Sequence, residues 1–103
     1  MWTLRLEVRV RPEKRREFLE SLRTLPASAP NGPECHKTLQ DVDDPSLICW
    51  RGEWTSRENL SAFMASNAYS ALKGAVSILG SLRGEVVVES ESATPSGWKG
   101  LEQ

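Results

Sequence analysis

Residues 2–10 alternate without a break. Trp2, Leu4, Leu6, Val8 and Val10 fall on one side, and Thr3, Arg5, Glu7 and Arg9 on the other. Successive side chains of an extended chain point to opposite faces, so the pattern predicts a strand with one apolar and one polar face. Such a strand must be covered on one side, and the segments that follow have the helical period needed to cover it. Pro12 suits the first turn of a helix, with Glu13 beside it. Phe18, Leu19, Leu22 and Leu25 then recur at i, i+1, i+4 and i+7, one helical stripe, before Pro26 stops the helix. Residues 27–33 form a loop whose prolines exclude regular structure.

The second half repeats the alternation of periods. Glu34 to Gln40 reads as a weak strand, Asp41-Val42-Asp43-Asp44-Pro45 as a polar turn, and Leu47 to Trp54 as a strong strand. The two strands and their short connection predict an antiparallel hairpin. Thr55-Ser56-Arg57-Glu58 has the form of a capping box, with Thr55 as the cap and Glu58 reaching back. Leu60, Phe63 and Met64 make one stripe. Tyr69, Leu72, Val76 and Leu79 make a second, and the Ser66-Asn67 interruption between them predicts a bend or restart. Gly80 suits a helix end. Glu85 to Glu89 is a last strand.

The order β-α-β-β-α-β predicts an α+β fold of the ferredoxin-like kind: a four-stranded antiparallel sheet with two helices on one face. With Val87 and either Leu47 or Ile48 expected on the helix-free face, that face should meet a second sheet, most simply in a two-fold homodimer. A length of 103 residues allows one domain. We place it at 1–90, with a tail at 91–103 that is rich in Ser, Glu, Pro and Gly yet carries Trp98 and Leu101.

Charge removes several classes of partner. Thirteen Lys and Arg balance fourteen Asp and Glu to a net −1, so no basic field draws nucleic acid or an anionic membrane. No apolar run suits a transmembrane helix, and Met1-Trp2-Thr3-Leu4-Arg5 lacks the apolar stretch of a signal peptide, so residence in the cytoplasm is expected. The two cysteines, Cys35 and Cys49, make no disulfide scaffold and are expected as free thiols in the core.

The stretch Glu34-Cys35-His36 with Leu39-Gln40-Asp41-Val42-Asp43-Asp44-Pro45, then Glu53-Trp54-Thr55-Ser56-Arg57-Glu58-Asn59-Leu60, then Ser66, Tyr69 and Leu72-Lys73-Gly74-Ala75, resembles the antibiotic biosynthesis monooxygenase family. The likeness runs from about Leu4 to Ser96-Gly97-Trp98. It implies a dimeric α+β barrel with a pocket in each subunit between helices and sheet. It also implies a reaction in the range of the family, whose better-known members oxygenate quinols, anthrones or similar phenols without metal or flavin. The fold transfers more securely than the reaction. Phe63 stands where many relatives carry a histidine. Lys73 stands where the haem-degrading branch has its iron-binding histidine, and an ammonium group is a poor iron ligand. No cofactor is therefore expected.

A cofactor-free oxygenase needs a dry cavity, a base, and donors for a developing oxyanion. Trp50 and Trp54 share strand parity and can wall a pocket with Phe63 and Met64; the plainer assignment is core or dimer contact. His36 is the only histidine, the one side chain whose ordinary pKa lies near neutrality, and is the candidate for proton transfer. It can equally be an ordinary strand histidine. Tyr69 can hydrogen-bond a phenolic oxygen or simply pack. Zinc is not expected with one histidine. Cys35 and His36, as strand neighbours, point to opposite faces and form no dyad. Asp41, Asp43 and Asp44 read as a solvated turn, and Lys14-Arg15-Arg16 as a solvated helix face. The sequence thus favours a cofactor-free monooxygenase acting on a small quinol-like or polycyclic aromatic. Its rivals are a non-catalytic dimeric module for a small ligand, and a non-oxidative enzyme such as an isomerase on the same scaffold.

Overall fold

A computed structural model describes residues 1–89; the tail at 91–103 lies outside them. Strands β1 (Trp2–Val10), β2 (Cys35–Gln40), β3 (Leu47–Trp54) and β4 (Gly80–Glu89) form one sheet in the order β2-β3-β1-β4. All three pairings are antiparallel. Helices α1 (Arg15–Thr24), α2 (Arg57–Met64) and α3 (Asn67–Leu79) supply the apolar faces that cover it. This is the ferredoxin-like fold that the sequence predicts, with the second helix divided in two.

The alternation of β1 decides which face is covered. Leu4, Leu6, Val8 and Val10 are buried against Phe18 and Leu22 of α1, Leu60 and Phe63 of α2, and Leu72, Val76 and Leu79 of α3. From β3 the buried partners are Ile48, Trp50 and Trp54. Each fully buried Leu, Val or Ile of this layer contributes roughly 1.5–3 kcal/mol of transfer free energy.

Several local features differ from expectation for identifiable reasons. Pro12 opens a 3-10 turn at Pro12–Lys14 rather than the α-helix itself, which begins at Arg15. Arg15 is not left in solvent: its guanidinium donates to the Pro45 carbonyl at 3.2 Å and to the Gln40 side chain, tying α1 to the hairpin. The cap of α2 is Ser56, which accepts from the Asn59 amide at 3.2 Å, because Thr55 is engaged elsewhere. Its amide and hydroxyl both donate to Glu34, at 2.8 and 2.6 Å. The last strand starts at Gly80, not Glu85, and follows α3 without a loop. Gly80 is required there, since a Cβ would lie 2.4 Å from the Arg9 carbonyl oxygen on the paired strand.

Register also corrects two placements. Val87 pairs with Leu4 and so belongs to the helix side of the sheet; Val86 and Val88, opposite Arg5 and Thr3, are the valines of the helix-free face. Cys35 and Cys49 are not core residues. Cys49 lies opposite Glu7 and Leu39, and Cys35 opposite Glu53, all on the helix-free face; Cys35 is exposed and Cys49 half-buried. Leu47 shares that face, whereas Ile48 is in the core.

The break between α2 and α3 is held by Ser66. Its hydroxyl donates to the Phe63 carbonyl at 2.6 Å, and its oxygen accepts from the Tyr69 amide at 3.2 Å, closing one helix and capping the next. Ser66→Ala should cost about 1 kcal/mol, with Ser66→Asn recovering most of it. In thermal unfolding this is a fall in Tm of about 4–8 °C for a domain of this size. A Tm unchanged within 1 °C would show that packing alone fixes the break.

Candidate functional site

The aromatic residues singled out from sequence come together on the helix side of the sheet. Trp50 and Trp54 lie two strand positions either side of Gly52, and a Cβ on Gly52 would stand 2.7 Å from the Trp50 Cη2 and 3.0 Å from the Trp54 Cη2. The missing side chain is what lets both indoles close over the strand. Pro33 of the proline-rich loop caps the same spot, at 3.1 Å from that hypothetical Cβ. The Trp54 Nε1 donates to the Asn31 carbonyl of this loop at 2.9 Å, which fixes the loop over the indole.

From Trp54 the rings continue. Phe63 lies 5.2 Å from Trp54 and 5.3 Å from Tyr69, centroid to centroid, both tilted, in the range where aromatic pairs attract through their quadrupoles. Trp54, Phe63 and Tyr69 are almost fully buried. Met64 is half-buried and packs against the same core. At the other end His36, opposite Gly52 on β2, has its ring 6.0 Å from that of Trp50. His36 itself is exposed. A run of rings therefore extends from a surface histidine, through two indoles and a phenylalanine, to a tyrosine.

Each end of the run is polar. At the first end the Trp50 Nε1 is buried and has no acceptor within hydrogen-bonding distance among the described residues. Buried donors are nearly always paired, so this one stands out. At the far end the Tyr69 hydroxyl donates to one oxygen of Glu85, and the Lys73 ammonium donates to the other at 2.8 Å. Lys73 also lies 5.4 Å from the Tyr69 ring centroid. Sequence reading missed Glu85, which it took only as the first residue of a strand. Its register opposite Leu6, which brings it to the helix side, follows from an irregularity between Glu7 and Val8 that no pattern announces.

Burial, then the hydrogen bond to Glu85 and its negative charge, raise the Tyr69 phenol far above its usual range. The hydrogen bonds from Lys73 and then Tyr69 hold Glu85 below the ordinary carboxylate value. Tyr69 is thus a neutral hydrogen-bonding group at any working pH, not a base. A phenol raised in the folded state stabilises the fold below its ordinary value near 10 and loses that contribution as pH climbs above it. A lowered carboxylate stabilises the fold above 4.5 and loses that contribution as pH falls through its lowered value.

Away from the aromatic run, an open cleft of about 290 Å³ is lined by Glu7, Leu39, Val42, Leu47 and Cys49 among others, beside the hairpin. None of the aromatic side chains reaches it. Among the described residues no three His, Cys, Asp or Glu side chains gather as a metal-binding set, and no helix is long and apolar enough to cross a membrane.

Comparison with known proteins agrees with this architecture. The sequence model of the family described as antibiotic biosynthesis monooxygenase matches residues 1–75. The chain belongs to that family. No curated protein matches it significantly in sequence. Among solved structures, SnoaB, a cofactor-independent oxygenase from Streptomyces nogalater, is similar with a TM-score of 0.72 at 16% identity, covering 91% of this chain and 96% of SnoaB. A conserved protein of unknown function from Bacteroides thetaiotaomicron gives 0.73 at 19% identity, over 86% of this chain and 96% of that one. Rv0793 from Mycobacterium tuberculosis gives 0.68 at 18% identity, over 90% and 98%. At these identities the likeness establishes the fold.

Tyr69 is the only tyrosine in the chain, so its ionisation can be read directly by phenolate absorbance. No phenolate should appear in the folded protein up to pH ~10, where a free tyrosine is half ionised. Glu85→Ala should bring the onset to lower pH. Half-ionisation of the folded wild type near pH 10 would contradict both the burial and the hydrogen bond. Separately, Gly52→Ala forces the two indoles apart and should destabilise the fold by about 1–3 kcal/mol in urea unfolding, with a changed tryptophan emission. Wild-type stability and emission would show that the indoles are not held by that gap.

Proposed function

We propose that the chain is a cofactor-independent oxygenase that acts on a small quinol-like or polycyclic aromatic at the aromatic run between helices and sheet. Membership of the monooxygenase family supports the reaction class. The single observation that carries the reading to a place in the molecule is the buried, unpaired Trp50 N–H next to the chain's only histidine. An oxygen atom of a substrate satisfies that donor, and a dry indole N–H stabilises negative charge as it develops there.

The reaction in its simplest form converts a ring methylene with dioxygen to a ring carbonyl and water. The carbon loses two hydrogens and four electrons, one oxygen atom stays on carbon, and the other leaves as water. The first step removes a proton from the substrate, and the resulting anion is electron-rich enough to reduce dioxygen. His36 is the proton acceptor in this scheme, and Trp50 holds the anion's oxygen. Trp54, Phe63 and Met64 form the apolar wall that orients the ring and excludes water. Tyr69 accepts a hydrogen bond from a phenolic hydroxyl at the far end, its own proton being donated to Glu85. The active unit is a homodimer, in which the helix-free face, with Leu39, Leu47, Val86 and Val88, is covered by its counterpart.

Dioxygen consumption by metal-free protein, measured against quinols, naphthols and anthrones, tests the chemistry. Uptake above the uncatalysed rate is expected, with kcat lowered about 100-fold in Trp50→Phe and by a similar factor in His36→Ala. Absence of uptake with every substrate, while the same compounds bind, would leave the ligand-binding reading in its place. The homodimer predicts a two-chain species in sedimentation at micromolar concentration; a monomer there would remove it.

A further inference from the structure

The far end of the aromatic run holds a hydrogen-bonding arrangement that bears on which ligands fit. A tyrosine hydroxyl has one proton to give and two lone pairs to receive with. Here the proton is committed to Glu85, and Glu85 is in turn held by Lys73 at 2.8 Å. No described residue donates to the Tyr69 oxygen. The carboxylate and ammonium side chains are 27% and 37% exposed at the α3–β4 edge, while Tyr69 itself stays in the core.

We propose that Glu85 is a specificity-determining residue: by holding the Tyr69 proton it leaves only lone pairs to a ligand, so the site selects aromatic compounds bearing a hydroxyl over their carbonyl counterparts. The inference rests on the reading above that a small aromatic binds at this run. A phenolic O–H approaching Tyr69 completes the chain, donating to the tyrosine oxygen while that oxygen donates to Glu85. A carbonyl oxygen at the same place meets lone pairs and, behind them, a carboxylate. It finds no free proton, and the like partial charges repel. Raising the phenol by burial works in the same sense, since Tyr69 keeps the proton it shares with Glu85. For a naphthol-like substrate, whose keto tautomer carries the ring methylene, oxygenation to the quinone turns the hydroxyl carbon into a second carbonyl, so this discriminates substrate from product and lets the product leave.

Calorimetric titration without dioxygen tests it, using 1-naphthol, its methyl ether and 1,4-naphthoquinone. Wild-type protein should bind 1-naphthol about fivefold more tightly than the ether, the weight of one net hydrogen bond, and the quinone weakest. In Glu85→Ala the Tyr69 proton is released, and the quinone's affinity should rise about fivefold while that of naphthol changes little. A variant that merely loosened the structure would weaken all three. Glu85→Gln keeps an acceptor for Tyr69 and should retain the preference for naphthol over the ether, whereas Tyr69→Phe should abolish it. Equal binding of naphthol and ether by wild type, an unchanged quinone-to-naphthol ratio in Glu85→Ala, or binding of none of the three would overturn the proposal. Hydroxyl selectivity without dioxygen uptake would sustain it and remove the oxygenase reading. Uptake without selectivity would do the reverse.

Discussion

Strand β1 is the constraint on which the remainder depends. It lies between β3 and β4, and its four buried aliphatic side chains face all three helices. A shift of one residue in its register would place Arg5, Glu7 and Arg9 under the helices and Leu4, Leu6 and Val8 outside, which no repacking could compensate. The position of Trp50 opposite Leu6, and of Trp54 opposite Trp2, follows from that register. So does the placing of Glu85, which reaches Tyr69 only because it lies opposite Leu6 on the other flank. Both polar ends of the aromatic run are thus fixed by one strand that contributes no polar group to either.

The fold was legible because its signals are additive and local. Period two in β1 and β3, period 3.6 in the helices, and prolines at the boundaries each point the same way. Even the division of the second helix could be anticipated from Ser66-Asn67, since a serine cap competes with helix continuation. What failed were matters of a single residue. Thr55 has the composition of a cap, but Glu34, distant in sequence, takes both its donors. Val87 is expected on the helix-free face, yet three successive valines do not say which parity meets the helices; its pairing with Leu4 does. Cys35 and Cys49 were assigned to the core by their residue type, while strand parity puts them on the opposite face.

The arrangement of the candidate site was partly legible for a related reason. Aromatic residues at matching parity can be recognised from spacing, and Trp50, Trp54, Phe63 and Tyr69 do meet on one side of the sheet. Their hydrogen-bond partners cannot be recognised so, because each is supplied by another element: the Asn31 carbonyl by a loop, Glu85 by an edge strand. The role of Gly52 was equally hidden. A glycine in a strand signals a bulge or a close approach, and only packing reveals that the approach is by two indoles from its own strand.

Phe63 has a physical consequence beyond the loss of a titratable group. A histidine at that position would place a polar ring between Trp54 and Tyr69, where burial is complete and a nitrogen would need a partner. Phenylalanine instead couples the two rings through apolar contact, at 5.2 and 5.3 Å, and makes the middle of the run dry. The polar groups stand at the ends: His36 with the Trp50 N–H at one, Tyr69 with Glu85 and Lys73 at the other. The two ends differ in kind. His36 is exposed to water, whereas the Tyr69 hydroxyl donates to a carboxylate that is also held by Lys73. The run thus presents an exposed imidazole at one end and a fixed hydrogen-bond geometry at the other.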